Sequence, residues 1–197
     1  MIRDMSRIFV IMGKSASGKD SLYQMIVDKH PELRKVVTYT TRPIRAGERY
    51  GREYFFVSEE EMRDLDGQDK IIECRRYDTI HGEWYYFTVN DGQIDLNGGD
   101  DYILITTLEG YNKLARAFGR ENVVPLYIEV DDLTRLERAI EREKKQTNPC
   151  VSEICRRFLA DAEDFSEENL REAGVKGSVV NNDFDEAYAE IEKIIAN

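Results

Sequence analysis

The chain has 197 residues, about the length of one domain with room for inserted subdomains. Apolar residues make up 41% and charged residues 34%, a balance that supports a packed core and excludes a disordered or collagen-like polymer. With 28 Lys+Arg against 39 Asp+Glu the formal charge is −11, which removes the broad basic footprint needed to bind duplex nucleic acid or an anionic membrane but leaves room for a local cationic site for a small anion. Cys74, Cys150 and Cys155 form no CxxC and no ligand spacing with His30 and His81, so neither a disulfide scaffold nor a structural zinc is expected. Ile8 to Met12 is too short to span a membrane, and Lys14 stands close behind it where a cleavage site would need small residues. The expectation is a cytoplasmic protein with no membrane partner; nothing in the sequence sets an oligomeric state.

In chain order, Ile8-Phe9-Val10-Ile11-Met12 reads as a strand buried on both faces of a parallel sheet. A Gly-rich turn follows, and Leu22, Met25 and Ile26 at helical spacing open a helix behind it. Residues from about Thr38 to Asp95 break this rhythm with Tyr, Arg, Gly and short alternating runs such as Glu53-Tyr54-Phe55-Phe56-Val57, predicting a β-rich insertion at 38–95. Two further core strands are predicted at Tyr102 to Thr106 and Val123 to Val130, each leading into a helix. Leu114 and Phe118 mark the first; Asp131 or Asp132 caps the second, with Leu133 and Leu136 on its apolar face. Residues 137–165 are helical and densely charged, with Arg138, Arg142, Arg156 and Arg157; most of that charge is expected on a solvated face. Ser178-Val179-Val180 leads into a last helix with apolar positions at Phe184, Ala187, Tyr188, Ile191, Ile194 and Ile195. Alternating strands and helices give an α/β, doubly wound, three-layer core formed by residues 1–37, 96–136 and 166–197.

Gly13-x4-Gly18-Lys19 has the Walker A spacing of a P-loop NTPase, in its required place between a buried strand and a helix. The run Gly13, Lys14, Ser15, Ala16, Ser17, Gly18, Lys19, Asp20, Ser21 is therefore the expected ATP-binding loop. Glycines let backbone N–H groups turn inward around phosphate oxygens, the helix N-terminus adds partial positive charge, and Lys19 brings a full one. Asp20 stands where such loops carry Ser or Thr for Mg²⁺; a carboxylate is also a hard oxygen ligand, and Asp20 is the candidate metal residue. No Asn-Lys-x-Asp tetrapeptide follows, so a GTPase is not indicated. A kinase of a small phosphorylated acceptor needs a second anion site, for which Arg42, Arg45 and Tyr54 qualify.

Thr40-Thr41-Arg42-Pro43-Ile44-Arg45-Ala46-Gly47-Glu48 and Gly51-Arg52-Glu53-Tyr54-Phe55-Phe56-Val57-Ser58 resemble the acceptor-binding segment of the guanylate kinase family. The resemblance continues through Glu73, Tyr85-Tyr86, Arg156-Arg157 and Val180-Asn181-Asn182-Asp183-Phe184-Asp185, covering essentially the whole chain. It implies a P-loop nucleoside monophosphate kinase with a helical lid at 137–165 and the 38–95 insertion as its acceptor-binding part. In that family Arg42, Arg45, Tyr54 and Tyr86 would hold the acceptor's α-phosphate, while Glu73, Thr38 and Thr88 would recognise guanine. Lys19, with the lid arginines Arg142 and Arg157, would stabilise the transferred phosphoryl group, and Asn181 would touch the donor adenine. The implied reaction is ATP-dependent phosphorylation of GMP and dGMP, with Mg²⁺ as cofactor.

The family usually carries two aspartates on the strand where this chain has Ile105 and Thr107. Their absence keeps a kinase of another or modified nucleotide open, beside a non-catalytic interaction module of the same fold. Asp20 is expected to replace a carboxylate lost from the strand end.

Overall fold

The computed structural model describes residues 6–79 and 82–196. In chain order it runs β1 (Ile8–Met12), α1 (Lys19–Lys29), β2 (Arg34–Lys35), β3 (Tyr39–Thr40), β4 (Phe55–Phe56), α2 (Glu59–Gly67), β5 (Ile71–Thr79) and β6 (Gly82–Val89). It continues with β7 (Tyr102–Ile105), α3 (Leu108–Phe118), β8 (Val123–Glu129), α4 (Asp132–Glu143), α5 (Val151–Asp164), α6 (Glu167–Glu172), β9 (Val179–Val180) and α7 (Phe184–Ala196). A five-stranded sheet has the order β2-β7-β1-β8-β9, with β2–β7 and β8–β9 parallel. A four-stranded sheet has the order β4-β3-β6-β5, in which β6 runs antiparallel to both neighbours. The α/β class with a parallel core sheet is the one expected from the alternating elements. Among the described residues no helix is long and apolar enough to cross a membrane.

The chain divides into two compact units. The first comprises Met1–Ile8, Glu32–Leu104 and Glu109–Val124. Its four-stranded sheet is organised by the β5–β6 hairpin, whose register pairs Glu73 with Thr88, Cys74 with Phe87, Arg75 with Tyr86 and Tyr77 with Trp84. Because strand side chains alternate, Phe87 and Val89 turn to one face, where they are buried, and Tyr86 and Thr88 to the other. The helix α2 was not foreseen from the sequence, although Ser58 and Glu61 form a full capping box. The Glu61 N–H donates to Ser58 Oγ at 3.1 Å, and the Ser58 N–H donates to Glu61 Oε2 at 2.7 Å.

The second unit comprises Phe9–Pro31, Ile105–Leu108 and Pro125–Asn197. Its part of β1, Phe9 to Met12, is fully buried, as a continuous apolar run in a parallel sheet requires. The helix α1 buries Leu22 and Ile26, and α7 buries Ala187, Ile191 and Ile195, each set on one helical stripe. Asp131 caps α4 by accepting from the Thr134 N–H at 2.9 Å, but the buried face of that helix differs from the expected one. Leu133 is 67% exposed, whereas Arg135 and Ala139 are buried. The helix is rotated by polar anchoring: Arg135 has internal partners that Leu133 cannot satisfy. It also runs without a break past residue 137.

Candidate active site

The turn after β1 is held in shape from below. A Cβ on Gly13 would come within 2.5 Å of the Ile128 carbonyl oxygen, and one on Gly18, which lies at φ 84°, would collide with the Asn181 amide. Gly13 is therefore required by the close approach of the Ile128 backbone, and Gly18 chiefly by its left-handed φ. Asn181 is buried, and its side-chain amide donates to the Ser17 carbonyl at 2.7 Å. The sequence reading gave Asn181 to the donor base; what the structure shows is that it fixes the Gly-rich turn through Ser17. Arg138 continues the contact, its guanidinium donating to the Asn181 carbonyl at 3.2 Å.

Ser15 is clamped at both ends of its peptide. Its N–H donates to Asp161 Oδ2 at 2.7 Å, and its carbonyl accepts from Arg135 Nη1 at 3.0 Å. Arg135 is 1% exposed, donates through Nη2 to Asp132 Oδ1 at 2.7 Å, and lies over the Phe158 ring at 4.7 Å. A guanidinium removed from water this completely costs several kcal/mol unless its charge is matched. Asp132 and Asp161 match it, and the Arg135 hydrogen bonds hold the Asp132 carboxyl below its usual range. Neither Arg135 nor Asp161 was singled out from the sequence. An arginine repeating the buried face of α4 with Ala139 was the available signal.

The other predicted donor-side residues are more open. The Lys19 side chain is 19% exposed, with its Nζ 3.8 Å from Asp20 Oδ2, and the Asp20 side chain is 81% exposed on the first turn of α1 beside exposed Ser21. The loop residues Lys14, Ser15 and Ala16 are half-buried and Ser17 is buried, its Oγ without a hydrogen-bond partner. Arg142 is exposed in the last turn of α4. Arg157 and Arg156 both donate to Glu153, at 2.7 and 2.8 Å. Hydrogen bonds from Arg156, opposed by partial burial and reinforced by Arg157, bring the Glu153 carboxyl down to about 2.

The acceptor-side residues converge on one face of the four-stranded sheet. Arg42 is 3% exposed; its fork donates to both Glu48 oxygens, at 3.0 and 2.8 Å, and its Nε donates to Tyr86 Oη at 3.1 Å. The guanidinium also lies over Tyr54 and Phe56, 5.6 Å from each ring centroid. Hydrogen bonds from Arg42 hold the Glu48 carboxyl below its ordinary range. Arg45 is exposed on the same loop, its N–H donating to Glu48 Oε2 at 2.8 Å. Farther along the face, Glu73 is 2% exposed and accepts from Thr88 Oγ1 at 2.8 Å; Thr38 is also buried. The sequence reading missed Arg75, whose Nε and Nη2 donate to the two Glu73 oxygens at 3.0 and 3.2 Å.

Among the described residues no group of three or more His, Cys, Asp or Glu is arranged to hold a metal. Asp20 and Ser21 nevertheless are an exposed carboxylate and an exposed hydroxyl in the first turn of α1. That set suits Mg²⁺, which keeps several waters and takes one or two protein oxygens together with substrate phosphates.

The guanylate kinase family model matches residues 5–197. A guanylate kinase of Geobacter sulfurreducens is 28% identical over 188 residues, covering 95% of this chain and 87% of its own length. That of Caldanaerobacter subterraneus subsp. tengcongensis is 29% identical over 195 residues, covering 98% and 88%. The crystal structure of guanylate kinase from Anaplasma phagocytophilum superposes with a TM-score of 0.70 at 22% identity, covering all of this chain and 87% of that one, a likeness of fold.

Proposed function

The chain belongs to the guanylate kinase family, and from that premise we propose a reaction: the γ-phosphoryl group of ATP is transferred to GMP, giving ADP and GDP. The observation that carries this reading is the β5–β6 face, where a buried carboxylate, Glu73, and an arginine–tyrosine anion site, Arg42 with Tyr86, stand on one surface. Guanine offers N1–H and a 2-amino group to Glu73; adenine offers an acceptor at N1 and no 2-amino group. Thr38 and Thr88 complete the base site, and Arg42, Arg45, Tyr54 and Tyr86 hold the α-phosphate.

On the donor side, backbone N–H groups of the Gly13 to Ser21 loop other than that of Ser15, which Asp161 holds, and the N-terminus of α1 cradle the triphosphate, with Asn181 fixing the loop and touching the adenine. An acceptor phosphate oxygen attacks the γ-phosphorus as the bond to the β–γ bridging oxygen breaks, and the leaving electron pair ends on ADP. Lys19, Arg142 and Arg157 neutralise charge as it spreads over the transferring oxygens; positioning and electrostatics supply nearly all of the catalysis. Asp20, with Ser21, would hold Mg²⁺, which when bound would offset charge on the ATP phosphates. The three thiols, none of them in a disulfide, fit a reducing, cytoplasmic setting.

The direct test couples ADP release to separate acceptors: GMP, dGMP, AMP, CMP, UMP and IMP. GMP and dGMP are expected to be turned over well above the rest; preference for AMP or a pyrimidine nucleotide would overturn the reading. The Asp20→Ser variant is expected to lower turnover and to bind ATP more weakly in the presence of Mg²⁺, by calorimetry, with little change in metal-free ATP binding. Equal or better turnover and ATP binding by the variant at every Mg²⁺ concentration would remove Asp20 from the metal site.

A further inference from the structure

The geometry points to Arg75 as a specificity-determining residue: it occupies Glu73 while the acceptor site is empty, then passes its fork to the acceptor's α-phosphate when guanine takes Glu73. This rests on the guanine reading of Glu73 given above, and it goes beyond it by making recognition of the base depend on the phosphate.

The edge of Glu73 that Arg75 occupies makes the exchange favourable. A carboxylate offers roughly four lone-pair sites, two on each oxygen. Oε1 accepts from Arg75 Nη2 at 3.2 Å and from Thr88 Oγ1 at 2.8 Å; Oε2 accepts from Arg75 Nε at 3.0 Å. One site remains, and it is on Oε2. The guanine N1–H and 2-amino N–H form a parallel pair and need one acceptor on each oxygen, the same fork-to-fork geometry that Arg75 already uses. Guanine and the Arg75 fork therefore compete for the same edge of Glu73.

A displaced Arg75 needs another anion, because its side chain is only 16% exposed and an uncompensated buried guanidinium is costly. The strand register shows where one is available. Arg75 sits directly opposite Tyr86, the residue whose hydroxyl accepts from Arg42. Tyr77, the next residue on that face of β5, packs edge-on against Tyr86 with ring centroids 5.4 Å apart. Arg75 thus stands between the base end of the face and its phosphate end. Charge balance favours the move as well. The positive charge of Arg42 is already matched by both Glu48 oxygens, so a phosphate dianion arriving there meets a neutral pair. Arg75, once released from Glu73, adds the missing cation. A nucleoside without phosphate displaces the same arginine and gives it nothing in return.

The test is calorimetric titration of the full chain, without ATP, using GMP and guanosine as ligands and AMP as control. Two variants are compared with wild type: Arg75→Gln, which leaves a neutral donor for Glu73, and Arg75→Met, which keeps the side-chain length without a donor. Both are expected to bind GMP roughly ten- to a hundredfold more weakly, the range of a lost charge-assisted contact, and guanosine as well as or better than wild type. Should Arg75→Met unfold, Arg75→Gln decides alone. A GMP affinity that does not change, or GMP and guanosine affinities that change by one common factor, would overturn the proposal. The wild-type preference for GMP over AMP in the same titrations reports the guanine reading separately, so each idea can fail without the other.

Discussion

Lys19→Met should lower kcat by roughly a thousandfold while leaving the protein folded, as measured by initial rates of ADP release and by thermal melting. The size follows from the role proposed for the residue: a preorganised cation aimed at charge that develops in transfer is worth roughly 10²–10³ in rate or more in a water-excluded site. The side chain is largely withdrawn from water, and its nearest internal charge is the mostly solvated Asp20 carboxylate at 3.8 Å, a weak competitor for a triphosphate. Folding should survive because the buried residues of α1 are Leu22 and Ile26, one and two turns on from Lys19. Methionine keeps the length of the stem and removes only the charge. A variant with kcat within a few-fold of wild type would take Lys19 out of the chemistry.

Much of this architecture was legible because its signals are local. The apolar run of β1, the Gly13-x4-Gly18-Lys19 spacing and the period of α7 each depend on neighbours in sequence. For the candidate site, side-chain chemistry alone proposes a role for Arg42, whereas the role proposed for Glu73 comes only through the family resemblance. What stayed hidden were the groups that pair with those residues. Glu48, Arg75, Arg135 and Asp161 look like surface charge in the sequence, yet Arg135 is 1% exposed and Arg75 is held against a carboxylate that is 2% exposed. Pairing between Arg135 and Ser15, 120 positions apart, leaves no periodic trace. Leu133 shows the same limit in reverse: an apolar residue at helical spacing was displaced from the buried face by an arginine with better partners.

These hidden pairs share a pattern. Arg42 is matched by Glu48, Arg75 by Glu73, Arg135 by Asp132 and Asp161, and Arg157 by Glu153. A protein that must bind several phosphates needs many cations, and in the empty state those cations repel one another and lose hydration if left unpaired. Internal carboxylates solve that problem and contribute to the net charge of −11. In the exchange proposed for Arg75, the phosphate has to draw the guanidinium away from a carboxylate already in place. At Arg135 the carboxylates are intrinsic to the fold, so that arginine holds Ser15 in position; at Arg157 the pair is exposed and readily exchanged.

Glu73→Gln is expected to collapse the preference for GMP over AMP by roughly a hundredfold or more, read from kcat/KM for both acceptors. The substitution exchanges one acceptor oxygen for an NH₂ donor in a site that is 2% exposed. Guanine then meets one acceptor where it needs two, and its second N–H faces another donor with no water to take it. AMP makes no such pair with the carboxylate, so its kcat/KM should stay within a few-fold. The magnitude is large because a buried polar group left unsatisfied loses its full desolvation energy, not merely the net worth of one hydrogen bond. Arg42→Ala provides the contrast: its fork and Nε belong to the phosphate end of the face, so it should weaken every acceptor by a similar factor and leave the GMP-to-AMP ratio in place. The two variants together separate base reading from phosphate holding. If Glu73→Gln leaves the ratio unchanged, the base is read elsewhere on this face and the guanine assignment of Glu73 fails, while the phosphate-transfer fold stands.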